Sequence, residues 1–430
     1  MGWGTSRVVN AIDPRKGRLH PKSSRLLSVG GFRIGSRLFA PIGHRMLHRI
    51  DAGLRIGRLE AWLPDGSFRV LGGRADGPVC EVRLRDWRAL LRLATGGSVG
   101  WYRAWAANEW DSPDPVPLFA LFMANAEHLG GVARSRGPVR WLAKTFHALR
   151  ANHRAGARRN IAAHYDLGND FYALWLDQGM TYSSALFADL GHPVEGLETA
   201  QTAKIDAALE RLGLEDGGSS LLEIGCGWGS LAARALEMSD IRYDGLTLSV
   251  EQAEWARARL PADKATIRLT DYRDMTGQYD AIASVEMVEA VGQRYWPDYL
   301  AAIHRLLKPG GRAAIQYISI NDALFERYAQ SADFIQTYIF PGGMLISESR
   351  FRALAEAQGL EWQNKHSFGQ HYATTLRLWR ERFDAAVDEG RLPGSFDEKF
   401  VKLWRYYLMY CEGGFAGGGL DVTQVTLEKR

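Results

Sequence analysis

One stretch constrains this chain more than any other: Ser219-Ser220-Leu221-Leu222-Glu223-Ile224-Gly225-Cys226-Gly227-Trp228-Gly229. Leu221 to Ile224 is a short apolar run of the kind that forms a buried strand. Three glycines at every second position interrupt it, and Ser230-Leu231-Ala232-Ala233-Arg234-Ala235-Leu236 restarts as a helix. Strand, glycine turn and helix is the geometry in which a nucleotide-bearing ligand meets a sheet. Residues without Cβ let the backbone turn tightly and approach that ligand. A dinucleotide fold would show G-x-G-x-x-G; here the pattern is E-x-G-x-G-x-G.

That pattern is similar to the loop of S-adenosylmethionine (SAM)-dependent methyltransferases, in which Glu223 would face the cationic aminoacyl end of SAM. On the loop alone SAM leads, and a NAD-type ligand or a ligand-free turn stays open.

The surrounding chain alternates strand and helix. Arg242–Leu248, Ala265–Leu269, Tyr279–Val285 and Gly311–Ile318 read as further strands, the last after the Lys308-Pro309-Gly310-Gly311 turn, and Gln424–Leu427 as a final antiparallel one. This is an α/β pattern: a Rossmann-like, doubly wound, mostly parallel sheet with ligands at the carboxyl strand ends. At those ends stand Asp271-Tyr272-Arg273-Asp274 and Glu286-Met287-Val288-Glu289.

A chain of 430 residues suggests two or three domains. Residues 1–40 are basic and rich in Gly and Ser, and read as a flexible leader. Residues 41–130 read as a smaller α+β domain. Arg58–Leu63, Ser67–Val70 and Cys80–Leu84 are strands, with a turn at Pro64-Asp65-Gly66. Asp86 caps a helix over Trp87–Leu93, and Pro117–Leu129 is another. No catalytic constellation is visible there, which points to lipid handling or partner binding. Residues 131–160 are a basic linker, and 161–430 the catalytic domain.

Charge is uneven. From Met1 to Arg58 only Asp13 and Asp51 oppose more than ten Arg and Lys, and His128 to Tyr165 contains no acid. Nucleic acid or an anionic membrane surface explains this, and a solvated basic linker explains it about equally well. Leu142, Phe146 and Leu149 sit at helical spacing, suiting either a membrane-surface helix or docking onto the next domain, with docking ahead. Three scattered cysteines, Cys80, Cys226 and Cys411, argue against a disulfide framework. No CxxC or HExxH pattern exists, so no metal is expected. No run reaches the ~20 apolar residues of a membrane span. The expected location is cytoplasmic, peripheral to the inner membrane face.

Eight collinear pieces resemble one family, the cyclopropane-fatty-acyl-phospholipid synthases, related to mycolic acid cyclopropane synthases. They begin with His164-Tyr165-Asp166-Leu167-Gly168-Asn169-Asp170-Phe171-Tyr172, Met180-Thr181-Tyr182-Ser183-Ser184 and the glycine loop. Gly245-Leu246-Thr247-Leu248-Ser249-Val250-Glu251-Gln252, Asp271–Asp274 and Tyr338-Ile339-Phe340-Pro341-Gly342-Gly343 follow. Phe368–Leu376 and Tyr410-Cys411-Glu412-Gly413-Gly414-Phe415 complete the set. The resemblance covers residues 160–430, approximately.

It implies a transfer of a methylene unit from SAM to the cis double bond of unsaturated acyl chains of membrane phospholipids, forming a cyclopropane. The SAM contacts would be Tyr182, Ser183, Glu223, Gly225, Cys226, Gly227, Trp228 and Gly229. Thr247, Ser249 and Gln252 would hold the ribose, and Tyr272 and Arg273 would border the adenine. The alkene is a weak nucleophile, and its attack on the SAM methyl leaves a carbocation. Aromatic faces stabilise such a cation by roughly 0.5–2 kcal/mol each; Tyr182, Tyr372 and Phe340 are the candidates.

The resemblance also implies a bound bicarbonate as base, held by Ser184, Glu289, Gln316, Ile318 and Tyr372. Glu289 is the leading catalytic candidate, with Tyr372 its expected hydrogen-bond partner. Two features depart from the family pattern. Ser184 stands where well-known members have Cys, while Gln316 and Ala290 stand where they have His.

Methylation without ring closure is the first alternative, and a non-enzymatic lipid-binding protein with a degenerate SAM site the second. Nucleic acid is not an expected partner, because Glu286-Met287-Val288-Glu289 replaces the Asn-Pro-Pro-Tyr type of motif that base-flipping enzymes carry there. A homodimer stays open.

Overall fold

The computed structural model describes residues 38–130, 167–190, 196–214 and 217–430. The basic linker, nearly all of the leader and His164-Tyr165-Asp166 lie outside the described residues.

Seven strands build the catalytic sheet: β5 (Ser220–Ile224), β6 (Arg242–Thr247), β7 (Ala265–Leu269), β8 (Tyr279–Val285), β9 (Leu307–Ile320), β10 (Leu360–Ser367) and β11 (Leu420–Lys429). Their order is β10-β11-β9-β8-β5-β6-β7. β5, β6, β7, β8 and β9 pair in parallel, and β11 runs antiparallel between β9 and β10. The α/β class read from the sequence is the observed one. β9 is longer than expected: Lys308 to Gly311 form a bulge within it, where pairing jumps from Tyr279↔Leu307 to Ala281↔Arg312. β10 carries no apolar alternation strong enough to announce it, since His366 and Lys365 face solvent at the sheet edge.

Four strands form a second sheet, β1 (Arg58–Trp62), β2 (Phe68–Gly72), β3 (Val79–Leu84) and β4 (Trp110–Asp111), in the order β2-β1-β3-β4. The helix after β3 extends over Arg88–Ala106, with a kink at Gly97, and Asp86 accepts from the Arg88 N–H at its start. The single helix expected over Pro117–Leu129 is two, Val116–Ala124 and Ala126–Leu129. The break falls at Asn125, which is 1% exposed. Its amide accepts from the N–H groups of Arg55 and Ile56 and donates to the carbonyls of Ile56 and Leu121. Those bonds to another segment outweigh one more helical turn.

The seven-stranded sheet packs in two apolar clusters of its own, while the small sheet shares its core with the C-terminal helices of the catalytic domain. One apolar cluster runs from Leu47 and Leu59 through Phe119 to Trp379 and Tyr406 on the helices Gly369–Asp388 and Glu398–Ala416. Phe119 packs edge-on to Tyr406 at 5.3 Å between ring centres, and Tyr102 meets Tyr406 at 5.1 Å. Gly413 permits this approach. A Cβ there would lie 2.4 Å from Phe119 Cβ and 2.6 Å from the Val116 carbonyl. Among the described residues no helix is long and apolar enough to cross a membrane.

Gly413→Val is expected to force the N-terminal layer away from the Glu398–Ala416 helix, at roughly 1–3 kcal/mol, the usual cost of overpacking. A lowered midpoint in denaturant unfolding, with the slope retained, would report it. An unchanged midpoint would mean that the layers do not share one cooperative core.

Candidate active site

The strand order reverses between β5 and β8, and an open α/β sheet binds its ligand in the crevice at such a point. A cavity of about 550 Å³ lies there. Its wall draws on three regions. Gly225, Cys226, Gly227, Trp228, Thr247, Gln252, Tyr272 and Arg273 come from the strand ends. Tyr182, Ser183, Glu286, Glu289, Ile318, Phe340 and Tyr372 form another part, and Leu93, Trp101, Phe119 and Phe122 reach it from the N-terminal layer.

The glycine loop does what its spacing implies. Gly227 has φ +52, and a Cβ on it would meet no atom within 4 Å. It therefore presents bare backbone to the cavity. Gly229 (φ +83) starts the helix Ser230–Met238 and does not line the cavity. Trp228 donates through Nε1 to Asn169 Oδ1 at 2.7 Å, tying the loop to the segment around Asn169-Asp170-Phe171-Tyr172.

Thr247, Ser249 and Gln252 form a linked set at the end of β6. Thr247 Oγ1 donates to Gln252 Oε1 at 2.8 Å, and Ser249 Oγ accepts from the Gln252 N–H at the helix start. Ser249 thus acts as an N-cap behind the cavity wall, leaving Thr247 and Gln252 to face it. Arg273 is clamped by Asp271 at 2.6 Å, and its guanidinium lies 5.6 Å from the centre of the Tyr272 ring. Glu223 is buried and accepts from Tyr243 Oη; burial pushes its carboxyl up to about 7.

The centre of the site is a residue that the sequence reading passed over. Glu286 Oε1 accepts from the Ser184 N–H at 2.9 Å and from Gln316 Nε2 at 2.7 Å. Its Oε2 accepts from Tyr372 Oη at 2.7 Å. Tyr372 therefore partners Glu286 and not Glu289, correcting the expected pairing: Glu286, the first residue after β8, takes the Tyr372 hydroxyl. Gln316 is itself oriented, because its Oε1 accepts from Gln424 Nε2 at 3.0 Å. Ser184 and Gln316 are buried behind Glu286 and do not line the cavity.

Lys204 is a second residue missed. It is 1% exposed, and its ammonium donates to Ser183 Oγ at 2.7 Å. Burial lowers it to about 8, against the attraction of Glu286, Asp177 and Glu223. The signal was there: Lys204 is the one charged residue on the buried stripe Leu197, Ala200, Gln201, Lys204, Ile205, Ala208.

Glu289 accepts from the Ile318 N–H through Oε1, and its Oε2 has no partner among the described residues. Burial, and then the nearby charge of Glu286, push its carboxyl up to about 8. Burial raises the Glu286 carboxyl as well, but its three donors and the neighbouring lysine oppose that rise, whereas Glu289 has one donor and a like charge beside it, so Glu286 is the first of the two to ionise. The bicarbonate set does not fit this arrangement. Ser184, Gln316 and Tyr372 already donate to Glu286, and Ile318 to Glu289. Among the described residues no group of three or more His, Cys, Asp or Glu could hold a metal.

With this geometry in place, the comparisons are specific. The family model for mycolic acid cyclopropane synthetase matches residues 152–425. The chain belongs to that family. It is 44% identical over 401 residues to the tuberculostearic acid methyltransferase UfaA1 of Mycobacterium tuberculosis, spanning 90% of this chain and 91% of that protein. It is 37% identical to the cyclopropane-fatty-acyl-phospholipid synthase of Escherichia coli, over 62% of this chain and 66% of that one. The mycolic acid cyclopropane synthase CmaA1, solved with SAH and CTAB, superposes with a TM-score of 0.58 and 33% identity, covering 63% of this chain and 98% of that one. The chain is thus a SAM-dependent methyltransferase of a lipid-modifying family, as its sequence implied.

Two outcomes test the site. Gly227→Val puts a branched side chain into the open cavity at a φ such residues avoid, and is expected to abolish SAM binding in calorimetry while β5 remains folded. For Glu289, the folded value near 8 stands above the ordinary 4.5. The folded protein binds that proton more tightly, so its contribution to stability is complete below about pH 4.5 and is lost as pH rises through about 8. Glu289→Gln removes the titration, and its unfolding midpoint is expected to fall less steeply than the wild type's across that window. Parallel curves would remove Glu289 from the buried pair.

Proposed function

We propose that this enzyme moves the methyl group of SAM onto the cis double bond of an unsaturated acyl chain carried by a membrane phospholipid, and that the product carries a one-carbon branch and keeps an alkene. The observation that carries the reading is the single cavity in which a SAM-type glycine loop, two carboxyl groups and an apolar wall meet. Phe119, Phe122, Leu93 and Trp101 give that wall the character an acyl chain requires. Tyr182, Phe340 and Tyr372 supply aromatic surface near the carboxyl groups, where a carbocation needs it.

The chain's own residues would act as follows. Thr247, Gln252 and the glycine loop orient the donor. The aromatic wall excludes water, which would otherwise quench the cation. A carboxylate accepts the proton that must leave after transfer. The branched product is favoured because the relative named for methyl transfer matches 90% of this chain, including the N-terminal layer that walls the cavity. Ring closure is the second reading, supported by the family model and by the Escherichia coli relative. Contact with a lipid surface is supported by the outer face of the small sheet, where Trp62, Phe68, Val70 and Val79 stand exposed.

Incubating the pure protein with SAM and vesicles of monounsaturated phospholipid, followed by mass and proton spectra of the acyl chains, decides between these. A gain of CH2 with a branch and an alkene supports the first reading, and a gain with a ring in place of the alkene supports the second. No gain, with SAM bound, would sink both.

A further inference from the structure

We propose that the carboxylate of Glu286 takes the place of the bicarbonate that the family resemblance implies, and is itself the base that removes the proton after methyl transfer. The inference rests on the methyl-transfer reading above. Its ground is geometric. Three of the five residues assigned to bicarbonate surround Glu286: the Ser184 N–H, Gln316 Nε2 and Tyr372 Oη all donate to its two oxygens. A fourth, the Ile318 N–H, is used by Glu289. A bicarbonate entering here would find its donors taken and would face like charge, which disfavours a second anion.

The backbone gives independent support. Glu286 has φ +48, in the left-handed region that favours glycine. A non-glycine residue persists there only where its surroundings hold it. The turn directs the side chain to three donors from three separate segments. Burial raises the Glu286 carboxyl above its ordinary value, the three hydrogen bonds and the charge of Lys204 act against that rise, and Gln424 holds the Gln316 amide in the donating orientation. Glu286 also lines the cavity, so the carboxylate is open to the reacting carbon.

The step balances without a further reagent. The alkene π pair forms a C–C bond to the methyl as the S–CH3 bond breaks, leaving S-adenosylhomocysteine and a carbocation. Glu286 takes one proton from the transferred methyl. The freed C–H pair closes the three-membered ring directly. After a hydride shift along the chain it instead becomes the π bond of a methylene branch. Glu286 returns the proton to solvent when the product leaves. No oxidant or reductant is consumed on either route, whereas a saturated branch would need a hydride from a separate reductant.

The test compares wild type, Glu286→Gly and Glu286→Gln. Glycine suits φ +48 and leaves the three donors free. Binding of 13C-bicarbonate to the protein saturated with S-adenosylhomocysteine is measured first, and then turnover on unsaturated vesicles in carbonate-free buffer with and without added bicarbonate. The wild type is expected to bind no bicarbonate and to turn over equally in both buffers. Glu286→Gly is expected to keep SAM binding, lose about 100-fold or more in turnover, as removal of a general base does, bind bicarbonate, and regain turnover when it is added. Glu286→Gln fills the position with a neutral group and is expected to be slow and not rescued. Wild-type protein that binds or requires bicarbonate overturns the proposal, as does a glycine variant fully active without it. The binding arm needs no acyl substrate. Should the wild type leave lipids unmodified, the functional reading fails while the occupancy of the anion position is still decided.

Discussion

The carboxylate of Glu286 joins parts of the chain that nothing else brings together. Its donors lie 102, 30 and 86 residues away, on the loop at Ser184, on β9 and on the helix Gly369–Asp388. A carboxylate shielded from bulk water is tolerated only where hydrogen bonds and opposite charge compensate it. Here three donors and the Lys204 ammonium do so, and the strained turn at the end of β8 follows from the need to reach them. Glu289, three residues on, receives one donor and feels the charge of its neighbour, so it holds its proton. Two similar side chains are thereby pushed into different states by environment alone.

The second organising constraint is the close contact of the N-terminal layer with the helices that end the catalytic domain. Val116, Phe119 and Ala120 lie against Gly413, and rings from both layers interlock around Tyr406. Because the N-terminal layer shares its core with these helices, the layer that carries no polar constellation still shapes the cavity. Its contribution is wall, not chemistry, and it determines how much apolar surface a ligand meets beyond the strand ends.

Much of this was legible in the sequence. The parallel strands inside the sheet were readable because a strand buried on both faces is a short apolar run ended by turn residues; β7, at the edge, buries Ile267 alone. The glycine loop was readable because only glycine serves where the backbone turns at φ +52 and faces open space. The helix break at Asn125 was not readable, since its cause is a bond to Arg55 and Ile56 some seventy residues earlier. Nor was the partner of Tyr372, which depends on which of two acids stands nearer in space. Lys204 left a trace, a cation on an apolar stripe, whose meaning needed the acids around it.

The sequence by itself determined the parallel strands, the cofactor loop and the family, because these follow from local periodicity, glycine placement and collinear motifs. Only the tertiary structure decided which carboxyl group receives the donors, which one holds a proton, and that the N-terminal layer walls the cavity. Those outcomes depend on distances between residues far apart in the chain, and electrostatic energies vary with such distances over a few ångströms.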